Sequence, residues 1–138
     1  MKWKHNIHFD ISKIFLPIIL FSSDSYRIAI FSFGYGITRN SENLTKGPGS
    51  IQGQPFNIAN CNNCTITLLD HCDQVQIDDA TNCKIFIGAS SESIFLRDCK
   101  NCTLTVASKQ FRSRDCTNCT VYLYCVTVPI IETSIGMR

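Results

Sequence analysis

The dipeptide Asn-Cys recurs four times in this chain, and each copy opens a short run that alternates apolar and polar residues. The cysteines of the four copies lie 19, 19 and 17 residues apart, at Cys64, Cys83, Cys102 and Cys119. A unit of just under 20 residues is too small to bury an apolar face alone, so units of this length stack on one another. The repeat therefore predicts a solenoid of short strands.

A second strand-like segment precedes each Asn-Cys at the same place in the unit, at residues 56–59, 75–78, 94–97 and 111–114. Because side chains alternate between the two faces of a strand, these segments predict two inward columns. The columns are Phe56, Val75, Ile94 and Phe111, and Ile58, Ile77, Leu96 and Ser113. Arg112 and Arg114 then point outward, and Asx residues such as Asp79 and Asn82 favour tight turns. We predict an all-β parallel β-helix of about four to five coils.

The repeat occupies roughly residues 48–135 and leaves about a third of the 138-residue chain outside it. We expect a β-helix domain over residues 46–138, truncated at its C-terminus, and an N-terminal extension over residues 1–45 that is unstructured or capping. The net charge of +2 comes from dispersed cations, which provide no basic stripe for nucleic acid. An uncapped last coil would expose a strand edge and favour self-association.

The N-terminal extension contains an eight-residue apolar run at residues 14–21, interrupted by Pro17. A membrane span needs about 20 residues, so this run is too short. A basic stretch followed by a short apolar run also fits a secretory signal peptide. Asp10 in the basic stretch and the many cysteines argue against export. A variable tail or an edge strand is the alternative, with the aromatic residues of the 26–35 segment covering the open first coil.

The nine cysteines admit disulfides, stacked free thiols or a metal site. Their odd number and their equivalent places in successive coils favour free thiols in a reducing compartment. Cysteine is small and readily buried, which suits a narrow interior. The pairs Cys99/Cys102 and Cys116/Cys119 also have the spacing of a four-thiolate zinc site. Because the repeat itself explains that spacing, we expect no metal and keep a zinc-binding module as a third hypothesis.

The neighbours His71 and Cys72 invite comparison with a cysteine–histidine nucleophile. A catalytic base must reach its nucleophile, whereas adjacent residues of a strand face opposite sides. We therefore expect an ordinary turn position here and no catalytic role.

Three segments occur in the order and at the spacing of a known family. They are Pro-Gly-Ser-Ile-x-Gly-Gln at residues 48–54, Gln-Phe-Arg-x-Arg-Asp-Cys at residues 110–116 and Pro-Ile-Ile-Glu at residues 129–132. Over about residues 47–135 the chain closely resembles the tubulin cofactor C-like domain family, most of all its X-linked retinitis pigmentosa branch. The resemblance implies a right-handed parallel β-helix that activates GTP hydrolysis in a partner, so the chain is not itself an enzyme and needs no cofactor. The implied partner is an Arf-like small GTPase in its GTP form, or tubulin.

The family's Gln-Gln-x-Arg motif falls on residues 109–112, and the resemblance makes Arg112 the arginine finger. A guanidinium supplied by a second protein can neutralise the charge that phosphoryl transfer spreads over the γ-phosphate oxygens. The resemblance implies that Gln110 positions the finger or contacts the nucleotide site, and that Glu132 holds Arg112 in an ion pair. The implied partner-binding residues are Lys109, Phe111, Arg114 and Arg97.

Two residues depart from the family pattern. Lys109 replaces the first glutamine of the motif with a cation that cannot accept a hydrogen bond, and Ser113 replaces an apolar residue at an inward position. A non-catalytic binding or scaffold module for tubulin or a ciliary assembly is therefore the alternative to a GTPase-activating module. We expect no lipid anchor, because there is no Met-Gly-Cys start, and a location in the cytoplasm, in the cilium or at the cytoplasmic face of the plasma membrane.

Overall fold

The computed structural model describes residues 35–37 and 40–138, with side chains from residue 40 onward. These residues belong to a compact unit that runs from Phe33 to Arg138. The apolar run at residues 14–21 and almost all of the aromatic segment at residues 26–35 lie outside the described residues. The signal-peptide and capping interpretations of those segments therefore stay predictions.

All regular secondary structure in the described part of the chain consists of β-strands. In chain order the strands are β1 (Tyr35–Ile37), β2 (Asn43–Lys46), β3 (Phe56–Ala59), β4 (Thr65–Cys72), β5 (Val75–Asp78), β6 (Lys84–Ser90), β7 (Ser93–Arg97), β8 (Thr103–Ser108), β9 (Gln110–Arg114), β10 (Thr120–Cys125) and β11 (Ile130–Glu132). Residues 35–37 and 40–138 accordingly contain no helix long and apolar enough to cross a membrane.

The strands alternate between two parallel sheets. The odd-numbered strands form a six-stranded sheet in the order β1-β3-β5-β7-β9-β11, and the even-numbered strands form a five-stranded sheet in the order β2-β4-β6-β8-β10. A third ladder of single backbone bridges joins residues 40, 62, 81, 100, 117 and 135. The chain is thus a parallel β-solenoid of about 5 turns, which confirms the predicted fold class. Because β1 and most of β2 come from the segment expected as an extension, the division at residue 45 remains a proposal.

The first sheet, which contains the odd-numbered strands, buries the two columns that strand alternation predicts. Phe56 pairs in register with Val75, Val75 with Ile94, and Ile94 with Phe111. All members of both columns are at most 1% exposed. The polar Ser113 ends the second column, and its buried hydroxyl has no hydrogen-bond partner. An unpaired buried hydroxyl costs about 1–3 kcal/mol, so the departure at Ser113 weakens the core locally.

The second sheet, which contains the even-numbered strands, completes the core from the opposite side. Ile66, Ile85 and Leu104 form one inward column across β4, β6 and β8. The next inward column consists of Leu68, Ile87 and Val106. Both sheets therefore bury branched aliphatic side chains, which suit the half-buried pleated surface of a strand.

The Asx-x-x-Asn-Cys segment between the two sheets, which has a cysteine in its second place except at Ala80, explains the spacing of residues within the repeat. Both Asx positions have a left-handed backbone: φ is 53–54° at Asn63, Asn82, Asn101 and Asn118, and 51–53° at Asn60, Asp79, Asp98 and Asp115. Among residues with a side chain, Asn and Asp tolerate this conformation best. Gly136 takes the equivalent place in the last coil, where φ is 69° and a Cβ would lie 2.5 Å from Oδ1 of Asn118. The predicted Asx turns are confirmed.

The cysteines of this segment point inward and donate to the backbone of their own turn. In seven of them Sγ lies 3.1–3.5 Å from the carbonyl oxygen two residues earlier, as in Cys99 to Arg97 and Cys102 to Lys100. All nine cysteines are free thiols, and eight are buried, as the stacked-thiol interpretation predicts. Among the residues described, no group of three or more His, Cys, Asp and Glu side chains is arranged to hold a metal ion.

The first family segment is a loop anchored on the carboxylate of Asp70 in β4. The backbone N–H groups of Ile51 and Gln52 both donate to Oδ2 of Asp70, at 2.7 Å. These two hydrogen bonds hold the pKa of Asp70 well below its ordinary value of 3.8, and the one from Gln52 has the larger effect. Gly53 has a φ of 71°, and a Cβ there would lie 2.9 Å from Nε2 of His71. The glycine therefore permits the close approach of the loop to β4.

His71 and Cys72 end β4 on opposite sides of the strand, so the expected turn position was wrong although the alternation was right. The side chain of His71 is 67% exposed, whereas Cys72 is 0% exposed. Burial raises the pKa of the Cys72 thiol to about 11, with a smaller effect from Asp70. The Cys72 thiol is buried and neutral and faces away from the imidazole of His71. His71 therefore cannot act as the base that activates Cys72 as a nucleophile.

The left-handed turns predict a difference between two substitutions of the exposed residue Asn101. We expect the unfolding free energy of Asn101→Ala to be about 1 kcal/mol lower than that of Asn101→Gly, because this backbone conformation is costly for a residue with a Cβ. Both variants lack the carboxamide, so their difference isolates the backbone conformation. Urea denaturation followed by circular dichroism measures it, and equal unfolding free energies would contradict the explanation.

Asp70 predicts a pH-dependent stability. Because its pKa is lower in the folded chain than in the unfolded chain, its carboxylate stabilises the fold above about pH 4, and this contribution declines as the pH falls below that value. We expect Asp70→Asn to reduce the unfolding free energy by ~1–3 kcal/mol at neutral pH. The difference between wild type and variant should shrink when urea denaturation is repeated near pH 2.5. A difference independent of pH would count against this role.

Candidate functional site

Three of the residues named by the family resemblance lie on the outward face of β9. Gln110, Arg112 and Arg114 alternate along this strand with Phe111 and Ser113. The first three are exposed, whereas Phe111 and Ser113 are 1% and 0% exposed. The side chain of Phe111 therefore does not reach the outer surface and does not fit the partner-binding role that the resemblance implied. It supports β9 from inside the core.

Arg112 forms a two-pronged ion pair with Glu132 of β11, the next strand of the first sheet. Nη2 of Arg112 lies 2.9 Å from Oε1 of Glu132, and Nε lies 3.3 Å from Oε2. The ion pair expected from the resemblance is therefore present. The two side chains are 46% and 39% exposed, so the pair contributes only about 0–1 kcal/mol to stability. It orients the guanidinium and leaves it open to solvent.

The ring of Phe95 on β7 is a neighbour of Arg112 that the sequence interpretation missed. Phe95 pairs in register with Arg112, and Cζ of Arg112 lies 5.5 Å from the ring centroid. Cζ of Arg97 lies 5.2 Å from the same centroid. The repeat could have predicted this contact, because Phe95 precedes Arg112 by 17 residues and takes the same outward place in the preceding coil.

Arg97 is held by Asp78 of β5 in a second ion pair. Nη2 of Arg97 lies 2.8 Å from Oδ2 of Asp78, and Nε lies 2.5 Å from Oδ1. The side chains are only 11% and 9% exposed, in contrast to those of Arg112 and Glu132. Arg97 therefore offers little surface to a partner, and its implied partner-binding role becomes one of support within this sheet.

Lys109 and Arg114 carry exposed positive charge on either side of Arg112. Nζ of Lys109 lies 3.1 Å from Oε2 of Glu92, and Nε of Arg114 lies 3.4 Å from Oδ2 of Asp115. Both cationic side chains are more than half exposed, at 58% and 52%. Surface ion pairs of this kind are weak, so both cations can exchange their present partners for those on an approaching surface.

We call the outward group formed by Gln110, Arg112 and Glu132, with Phe95 at its side, the arginine strip. Its anion-binding group is the planar guanidinium of Arg112, which has several N–H donors and can bind two oxygens of a phosphate or carboxylate at once. Ile130, 39% exposed, pairs in register with Arg112 and borders the strip on the β11 side. The strip is open to solvent, so the guanidinium is accessible to a group on another molecule.

Known proteins are similar to the part of the chain that contains the arginine strip. Residues 53–138 match the family model described as Tubulin binding cofactor C. The chain is 47% identical over 98 residues to Protein XRP2 of Danio rerio, an alignment that covers 71% of this chain and 26% of that protein. It is 48% identical over 97 residues to Protein XRP2 of Gallus gallus (70% and 27%) and 28% identical over 98 residues to Tubulin-specific chaperone C of Homo sapiens (71% and 28%). The matched part thus spans about a quarter of each relative's length.

The two ion pairs predict different effects on stability. Asp78→Ala leaves the guanidinium of Arg97 without its carboxylate in a nearly buried site, and we expect it to reduce the unfolding free energy by about 3 kcal/mol. Glu132→Ala breaks an exposed pair, and we expect a change below about 1 kcal/mol. Urea denaturation of both variants at neutral pH makes the comparison. Similar losses in the two variants would contradict this distinction.

Proposed function

The chain belongs to the tubulin binding cofactor C family, and from this premise we propose that it activates GTP hydrolysis in a partner protein. In this proposal Arg112 is the arginine finger that enters the partner's nucleotide site, and the chain is an activator of an enzyme. The observation that carries the proposal is the outward, half-exposed guanidinium of Arg112, oriented by the carboxylate of Glu132.

The chemistry of phosphoryl transfer suits this guanidinium. Negative charge spreads over the γ-phosphate oxygens in the transition state, and an arginine supplied by a second protein accelerates the reaction by ~10³–10⁵. This factor corresponds to roughly 4–7 kcal/mol of barrier. Glu132 occupies the donors of Arg112 that a phosphate would use, Nη2 and Nε. When a partner binds, its phosphate oxygens would replace those of Glu132, so that the donors stay satisfied throughout.

The neighbours of Arg112 have complementary roles in this proposal. The carboxamide of Gln110 both donates and accepts hydrogen bonds, and it would position the finger or contact the nucleotide site. Lys109 and Arg114 would attract an acidic surface around the nucleotide of the partner. Arg97 and Phe111 are nearly buried and would support the strip without touching the partner.

We propose an Arf-like small GTPase in its GTP form, or tubulin, as the partner. Tubulin is supported by the relative called Tubulin-specific chaperone C. The Arf-like GTPase is supported by the resemblance of residues 110–116 and 129–132 to the retinitis pigmentosa branch of the family. We also propose a location in the cytoplasm, including the cilium and the cytoplasmic face of the plasma membrane, because buried free thiols suit a reducing compartment.

A binding or scaffold module without catalytic activity is the second candidate function, and Lys109 favours it. This residue replaces the first glutamine of the motif, and its ammonium group is paired with Glu92. A cation cannot accept the hydrogen bonds that a carboxamide can. In this alternative the outer face still binds tubulin or a GTPase, but the rate of GTP hydrolysis does not change.

Single-turnover GTP hydrolysis by an Arf-like GTPase and, separately, by tubulin tests the proposed function. We expect the protein to accelerate hydrolysis by one of them, and we expect Arg112→Ala to remove about 10³-fold of this acceleration. Lys100→Ala is the control, because Lys100 is an exposed cation to which the proposal gives no role in catalysis or partner binding. It should retain most of the acceleration.

The remaining outcomes separate the two candidate functions. Acceleration that persists in Arg112→Ala would reject the arginine finger. Binding without acceleration by the wild-type protein would support the scaffold module. In that case Lys109→Gln, which restores the first glutamine of the motif, would show whether Lys109 is the reason for the lost activity.

A further inference from the structure

Two guanidinium groups share one aromatic ring on the outer face of the first sheet. The ring belongs to Phe95, and the guanidinium carbons of Arg97 and Arg112 lie 5.2 Å and 5.5 Å from its centroid. Each distance is within the range of about 6 Å in which a cation is attracted to the face of a ring. The contacts therefore connect the buried Arg97–Asp78 pair with the exposed Arg112–Glu132 pair.

We propose that Phe95 is a positioning residue for Arg112, and that its ring keeps the guanidinium in its working direction when Glu132 releases it. This inference rests on the proposed function and deepens it. Glu132 accepts hydrogen bonds from Nε and Nη2 of Arg112, two of the donors that a phosphate could use. Contact with the face of a ring uses none of those donors. Phe95 can therefore hold Arg112 in both the resting and the engaged state, whereas Glu132 competes with a phosphate for two of the donors.

The ring of Phe95 is held in place by its own strand, β7, and by Arg97. Phe95 is half-buried and points outward from β7, one of the two middle strands of the first sheet, and its chain neighbours Ile94 and Leu96 anchor the strand in the core at 0% exposure. Arg97 approaches the ring with its own guanidinium held by Asp78. A ring held by a buried ion pair and a packed strand is a more rigid support than an exposed carboxylate. Such rigid support limits the loss of side-chain freedom when Arg112 engages a phosphate.

Kinetics with a matched pair of substitutions test this role. Phe95→Leu removes the aromatic face and keeps an apolar side chain, and Phe95→Tyr keeps the aromatic face. Phe86→Leu is the control, because Phe86 is an outward, 39% exposed phenylalanine on β6 in the other sheet. For each variant, the rate of single-turnover GTP hydrolysis is measured at increasing concentrations of the protein.

We expect Phe95→Leu to lower the plateau rate about tenfold, equivalent to ~1.4 kcal/mol of barrier, with an unchanged half-saturating concentration. Phe95→Tyr and Phe86→Leu should keep the wild-type plateau. An equal loss in Phe95→Leu and Phe95→Tyr would show that the side-chain packing matters and the aromatic contact does not, and it would overturn the proposal. Urea denaturation confirms that each variant is folded.

A spectroscopic measurement tests the contact without any GTPase. Because Cζ of Arg112 lies 5.5 Å from the ring centroid, we expect the ring current of Phe95 to shift the Nε–Hε resonance of Arg112, which is assigned by its loss in Arg112→Ala. We expect this resonance to move in Phe95→Leu and to stay in place in Phe86→Leu. A resonance that does not move in Phe95→Leu overturns the proposal, whatever the kinetics show.

Failure of this inference and failure of the proposed function give different results. Wild-type acceleration that Phe95→Leu retains in full overturns the positioning role of Phe95 and leaves Arg112 as the finger. No acceleration by the wild-type protein overturns the proposed function, and the positioning role of Phe95 in that reaction falls with it.

Discussion

The left-handed Asx turn is the constraint on which the rest of this structure depends. Each of the turns at residues 60–64, 79–83, 98–102 and 115–119 contains two residues with positive φ. Three of these turns hold two inward cysteines and the second holds Cys83 alone, and all of these thiols donate to nearby carbonyl groups. The backbone of the turn is also bonded from coil to coil, as in Asn82 N–H to Lys100 O at 2.9 Å. Asparagine supplies the conformation and cysteine supplies a small donor that tolerates burial. Together they explain why this pair recurs.

The turns keep both sheets in register, and the register places the candidate site. Side chains at equivalent outward places in successive coils become neighbours, because parallel strands lie about 4.8 Å apart. Phe95 and Arg112 are neighbours for this reason alone, although a whole coil separates them in the chain. The arginine strip therefore needs no dedicated loop, since the repeat that builds the core also aligns the outer face.

Burial divides the arginine–carboxylate pairs of the outer face into one that is nearly buried and one that is exposed. Arg97 and Asp78 are nearly excluded from water, so their pairing is expensive to break and holds the sheet together locally. Arg112 and Glu132 are exposed, so their pairing orients a guanidinium at little cost and is cheap to break. The same two residue types, arginine and a carboxylate, thus serve different purposes on adjacent strands.

The sequence by itself determined the solenoid, its inward columns and the outward direction of Arg112, because the repeat period and strand alternation are local properties of the chain. Family resemblance added the pairing of Arg112 with Glu132. Only the tertiary structure decided which outward residues are accessible and what they contact: it left Arg97 only 11% exposed beside Asp78, placed His71 in a strand and brought Phe95 to Arg112. These features depend on how side chains of different coils pack together, and a repeat specifies which residues are neighbours without specifying how deeply each is buried.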